Sequence, residues 1–109
     1  MSYYKHEHLA DFGRIADASP ELGKLFFQWY GAVFRDGALT EREKALIALG
    51  VAQAVQCPYC IEAWTDGCLE RGVDEAQMTE VAHVAAAIAG GAALVHGMQM
   101  RDIARRKSM

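Results

Sequence analysis

Proline is scarce, the cysteines are odd in number, and neither sign of charge dominates. Two prolines in 109 residues leave room for long uninterrupted helices. Three cysteines cannot pair off into the disulfide framework of a small secreted domain. β-Branched residues are also few, with 15 Val, Ile and Thr together against 19 Ala, a balance that favours helix and excludes an all-β domain. A formal net charge of −3 supplies no basic excess to neutralise phosphates, so nucleic acid is not an expected partner. Met1 to Asp11 is polar and holds no apolar run before a small-residue cleavage site, and the cytoplasm is the expected compartment. What is present is a globular mixture of 52% hydrophobic and 23% charged residues. At this length that implies one domain, residues 1–109.

The helix boundaries are marked locally. An apolar pattern at Leu9, Phe12, Ile15 and Ala16 has the spacing of one helical face and predicts a short first helix. Ser19-Pro20-Glu21 then offers an N-cap, a proline at the first helical position and an acid facing the positive dipole end, predicting a helix to about Arg35. Thr40 and Glu43 have capping-box spacing and open a third helix to about Gln56. Pro58 suits the first turn of a fourth, which places Cys57 at its N-terminus, and Gly72 stops it. Asp74 with Gln77 repeats the capping box for a fifth helix to about Ala89, after which Gly90-Gly91 separates a sixth ending near Arg105. The expected fold is all-α, with five or six helices.

Chemistry concentrates at Cys57-Pro58-Tyr59-Cys60. Thiolate is the reactive form of cysteine, and the free N–H groups and dipole at a helix start stabilise negative charge on sulfur there. Two thiols three residues apart are close enough for a disulfide, so the motif points to redox chemistry, with a half zinc site or two small apolar residues as competing readings. Zinc needs four ligands, and Cys68, His83, His96 and the His6/His8 pair do not form a second close pair. No metal and no cofactor are expected. Cys68 lies about 12 Å of helix rise beyond Cys60, outside disulfide reach, and reads as a core residue. Trp64 shares the stripe of Cys57, Cys60 and Cys68 and is expected to cover Cys60.

The run from Leu39 to Leu49, followed by Cys57-Pro58-Tyr59-Cys60 and Gly72, resembles the AhpD-like family of alkylhydroperoxidases and carboxymuconolactone decarboxylases. The stretch from Ala38 to Met100 resembles most the peroxidase-like proteins associated with arsenosugar biosynthesis. The resemblance implies an all-helical subunit, homotrimers or homohexamers, and a CxxC that reduces peroxides and is re-reduced by a thiol-bearing protein partner. It also implies that Cys60 attacks the peroxide and Cys57 resolves the product. The dipole argument by itself points the other way, to the more N-terminal thiol as nucleophile. The family's proton-relay glutamate and histidine fall here on Ala45 and Trp64, so both relay positions are empty. Candidates to replace them are Glu41, one turn before Ala45 on the same face, and His83, whose neutral imidazole has the chemistry of a base. Tyr59 and Trp64 are candidate substrate contacts.

The leading expectation is a thiol-dependent peroxidase or disulfide reductase. A non-redox decarboxylase-like enzyme and an oligomeric thiol-based binding protein are the alternatives. The 20 residues from Val81 to Met100 carry no formal charge, a length that matches a membrane span. Ala and Gly dominate them and His83, His96 and Gln99 interrupt them, so burial between subunits is the expectation and a membrane partner is not.

Overall fold

In the computed structural model, residues 12–109 are described. Leu9, His6 and His8 lie outside them. Phe12–Ala16 form a 3₁₀ turn, so the described part of the first expected helix is this short piece. Four α-helices follow: α1 (Pro20–Val33), α2 (Glu41–Ala54), α3 (Pro58–Glu70) and α4 (Glu75–Lys107).

The sequence signals act mostly as local chemistry requires. Thr40 is extended, and its hydroxyl accepts the Glu43 N–H while the Glu43 carboxylate accepts the Thr40 N–H at 2.8 Å. That backbone hydrogen bond from Thr40 holds the Glu43 carboxyl below the usual range. Asp74 and Gln77 close the same reciprocal pair at the start of α4. Gly72 takes φ +78°, the left-handed conformation that ends a helix with least strain when no Cβ is present. Ser19 is the N-cap of α1, but its side chain makes no capping bond and Pro20 alone sets the start.

The expected count of five or six helices is corrected to four. The helices expected on either side of Gly90-Gly91 are one helix of 33 residues, about 50 Å long. Glycine weakens a helix interior by roughly 1 kcal/mol relative to alanine, yet it does not end one. A stop needs a left-handed residue or a proline after it, and neither glycine has positive φ.

α2 is the central element, packed on one side against α3 and on the other against α4. The core is small: Ala45, Leu49, Cys68 and Val73 are buried, with Leu46, Trp64, Met78 and Val81 packed around them. Much apolar surface is left uncovered. Leu22 and Trp29 on α1 are 67% and 64% exposed, and Ile88 and Leu94 on α4 are 73% and 75% exposed. The accessible surface of 8425 Å² is roughly 40% above the ~6,000 Å² expected of a folded monomer of this mass. The radius of gyration, 18.4 Å, likewise exceeds the ~13 Å of a compact domain of this length. By length and composition α4 also meets the requirement for crossing a membrane, with a window of mean hydropathy 1.5.

Two backbone positions test this account of the turns. Gly72→Ala is expected to lower stability by about 1–2 kcal/mol, because alanine pays the left-handed penalty. Gln56→Gly, at φ 58°, is expected to leave stability unchanged or raise it by up to about 1 kcal/mol. Urea melts at one protein concentration measure both, and equal losses at the two sites would contradict the assignment.

Candidate functional site

The site is built at the α2–α3 turn. α2 ends at Ala54, Val55 caps it, and Gln56 adopts φ 58°. This left-handed step turns the chain so that the Cys57 N–H donates to the Ala52 carbonyl at 3.0 Å. Cys57 is then extended, with φ −105° and ψ 98°, and Pro58 begins the new helix without needing an N–H partner. Cys57 is therefore the N-cap of α3, and its Sγ accepts the backbone N–H of Cys60 at 3.3 Å. A sulfur fills the place that a serine or aspartate oxygen usually takes.

Both motif cysteines are free and half-buried. Burial, then the hydrogen bond and charge of Cys57, push the Cys60 thiol up to about 11. Cys68 is fully buried, and its thiol donates to the Ala45 carbonyl at 3.4 Å. Burial pushes its thiol up as well, as an inert core cysteine requires.

Cys60 and Trp64 lie along one wall of a cleft of about 480 Å³ between the end of α1, the following loop, α2 and α3. Val33, Phe34, Leu39, Ile47, Val51 and Val55 make the rest almost wholly apolar. Among the described residues Lys44 is the one cationic group in the lining, and its ammonium donates to the Arg35 carbonyl at 2.6 Å. No carboxylate or imidazole of the described residues lines this cleft. A second groove of about 710 Å³ runs between α2 and α4, over Leu46, Gly50, Ala54, Val81, Val84 and Ile88.

The structure brings Cys57, Cys60 and Trp64 together and leaves the other sequence candidates elsewhere. Glu41 turns to Arg71, at 3.3 Å, and the Arg71 guanidinium lies over the Trp64 ring, 6.0 Å from its centroid. Its link to the site thus runs through Arg71 and the indole, away from the thiols. His83 is exposed on α4 and lines neither the cleft nor the groove. Tyr59 is half-buried in the first turn of α3, outside the cleft lining. His96 pairs with Gln99 at 3.1 Å. Ala45 is fully buried beside Leu49, Cys68 and Val73, where a carboxylate would be cut off from water. Among the described residues no three His, Cys, Asp or Glu side chains converge as a metal ion would require.

Two residues that shape the site escaped the sequence reading. Trp64 Nε1–H donates to the Tyr30 hydroxyl at 2.9 Å, and the Phe34 ring packs on the indole with centroids 4.1 Å apart. Both come from α1 or its C-cap, thirty or more positions away. Their one sequence signal is the recurrence of aromatics at Phe26, Tyr30 and Phe34, a single face of α1.

Comparison with known proteins agrees with this arrangement. Residues 20–100 match the carboxymuconolactone decarboxylase family. The chain is 39% identical over 87 residues to an uncharacterized protein 4 in the cox locus of Paracoccus denitrificans, covering 80% of this chain and 78% of that one. A crystal structure of a protein from Methanobacterium thermoautotrophicum superposes with a TM-score of 0.76 at 36% identity, covering 80% of this chain and 98% of the other. The described helices from α1 to the uncharged part of α4 are the matched region, and the chain belongs to the carboxymuconolactone decarboxylase family.

Proposed function

We propose that this protein is a thiol-dependent oxidoreductase, a peroxidase or disulfide reductase in which Cys57 and Cys60 give two electrons to an organic substrate and are restored by a protein dithiol. One observation carries this reading. The Cys57 sulfur occupies the N-cap of α3 and accepts the Cys60 N–H, a geometry that sets one sulfur at the positive end of the helix and the second thiol within one turn of it. The apolar cleft beside Cys60 favours an organic group over a small hydrophilic oxidant. Decarboxylase-like acid–base chemistry finds no carboxylate or imidazole among the described residues lining that cleft. The likeness to arsenosugar-associated peroxidase-like proteins belongs to the same reading. Cys57→Ser and Cys60→Ser are each expected to abolish turnover with a disulfide or hydroperoxide under a dithiol reductant, while Cys68→Ala stays within about twofold of wild type. Sustained turnover by either single-cysteine variant would contradict the proposal.

The empty relay has its own consequence. Ala45 and Trp64 offer no proton transfer, and general acid–base assistance is typically worth about 10²–10⁴-fold. Turnover of tert-butyl hydroperoxide is expected to fall short of a relay-bearing family member by a factor in that range, under matched reductant. Equal rates would mean that another group supplies the proton.

The uncovered faces of α1 and α4 support a homo-oligomer, a trimer or hexamer, in which second copies cover the α2–α4 groove and the apolar side of α4. The excess of accessible surface over a folded monomer is of the size that permanent interfaces remove. Sedimentation at micromolar concentration is expected to give a single oligomeric species. A monodisperse monomer, or a chain that remains with lipid vesicles, would overturn this assembly.

A further inference from the structure

The two thiols of the motif differ in their surroundings. Cys57 Sγ is an acceptor, held at the positive end of α3 by the Cys60 N–H. Cys60 instead lines the apolar cleft beside Trp64, where Lys44, the one cationic lining group among the described residues, is already held by the Arg35 carbonyl. We infer that Cys57 opens the cycle by attacking a disulfide, and that Cys60 is the resolving thiol, the reverse of the order implied by the peroxidase resemblance. The inference rests on the CxxC redox reading given above.

The chemistry balances without any further group. The Cys57 thiolate attacks one sulfur of R–S–S–R′, a Cys57–S–S–R bond forms, and R′S⁻ leaves. Cys60 then gives up its proton to the released thiolate or to water and attacks Cys57 Sγ, and RS⁻ leaves. The protein dithiol has lost two electrons to become the Cys57–Cys60 disulfide, and the substrate disulfide has gained them as two thiols. Exchange with an external dithiol, in the reverse sense, returns the protein to its starting state.

The order of steps is built into the pair. The Cys60 thiol is pushed up to about 11 by burial, by its hydrogen bond with Cys57 and by the Cys57 charge. At neutral pH it stays protonated, whereas the Cys57 sulfur at the α3 N-cap accepts the Cys60 N–H. Once Cys57 is locked in a mixed disulfide its charge is gone, two of the three causes that hold the Cys60 proton vanish, and the second thiol becomes able to attack. The leaving group selects the substrate. A thiolate departs from a disulfide without an acid, whereas an alkoxide or hydroxide departing from a hydroperoxide is far more basic and calls for a proton donor. The described residues lining the cleft supply no carboxylic acid or imidazole, and the relay positions implied by the peroxidase resemblance hold Ala45 and Trp64.

The test uses 4,4′-dithiodipyridine at pH 7, in a Cys68→Ala background, with release of thiopyridone followed by stopped flow. The parent is expected to release two thiopyridones per chain and end as the Cys57–Cys60 disulfide. Cys60→Ser should release one at the parent's first-step rate and stall as a mixed disulfide on Cys57. Cys57→Ser should react at least about tenfold more slowly, because its remaining thiol is mostly protonated and higher nucleophilicity offsets only part of that loss. Acid quenching of the unsubstituted protein, with peptide mass spectrometry, locates the first mixed disulfide without any substitution and is expected to place it on Cys57. A first adduct on Cys60, or a Cys57→Ser variant as fast as the parent, overturns the order. Relative to a free model thiol, the protein should accelerate the disulfide reaction more than the reaction with tert-butyl hydroperoxide, and equal or greater acceleration with peroxide overturns the substrate class. Release of a single thiopyridone by the unsubstituted protein, with no internal disulfide, would instead overturn the underlying CxxC redox reading.

Discussion

The hydrogen bond from the Cys60 N–H to the Cys57 sulfur fixes most of what is particular to this molecule. It exists because the chain leaves α2 through a left-handed Gln56, returns the Cys57 N–H to the Ala52 carbonyl, and enters α3 at a proline that has no N–H of its own. Those three local facts place one sulfur at the cap and the other a turn inside the helix. In the same turn the Ile61 N–H bonds to the Cys57 carbonyl in the ordinary helical way. The asymmetry of the two thiols is therefore a property of helix initiation: one sulfur substitutes for a capping oxygen, and the other inherits the apolar face of α3.

That face is finished by α1. Trp64 is held by the Tyr30 hydroxyl, the Phe34 ring and the Arg71 guanidinium. Arg71 is itself tied to Glu41 and to the Gly67 carbonyl. This side of the cleft is an aromatic wall with a hydrogen-bonded rim, and Ala45 belongs to the core with Leu49 and Cys68. Burial is the largest of the causes that keep the Cys60 proton in place.

What the sequence makes legible here is local. The capping pairs Thr40 with Glu43 and Asp74 with Gln77, the Cys57-Pro58 start and the Gly72 stop each involve residues within four positions, and the structure forms all of them. Gly90-Gly91 does not end the helix as expected, because glycine lowers helix propensity without imposing an end and no following residue supplies the stop. Ser19 has the right type and place but makes no side-chain bond. Glu41 reads as a relay candidate from helical spacing, and its actual partner, Arg71, is thirty positions away. Tyr30 and Phe34 depend likewise on how α1 meets α3, a tertiary fact that periodicity does not encode. No residue of α1 or α4 is buried, and the sequence shows the uncharged run without saying what packs against it.

The most direct measurement of the central claim is an equilibrium redox titration of the intact protein in dithiothreitol buffers of graded oxidation, with alkylation and peptide mass spectrometry at each point. The account predicts one reversible two-electron transition, carried wholly by the peptide containing Cys57 and Cys60, with Cys68 reduced throughout. Independent one-thiol titrations of Cys57 and Cys60, or a bridge that includes Cys68 within a subunit, would contradict it.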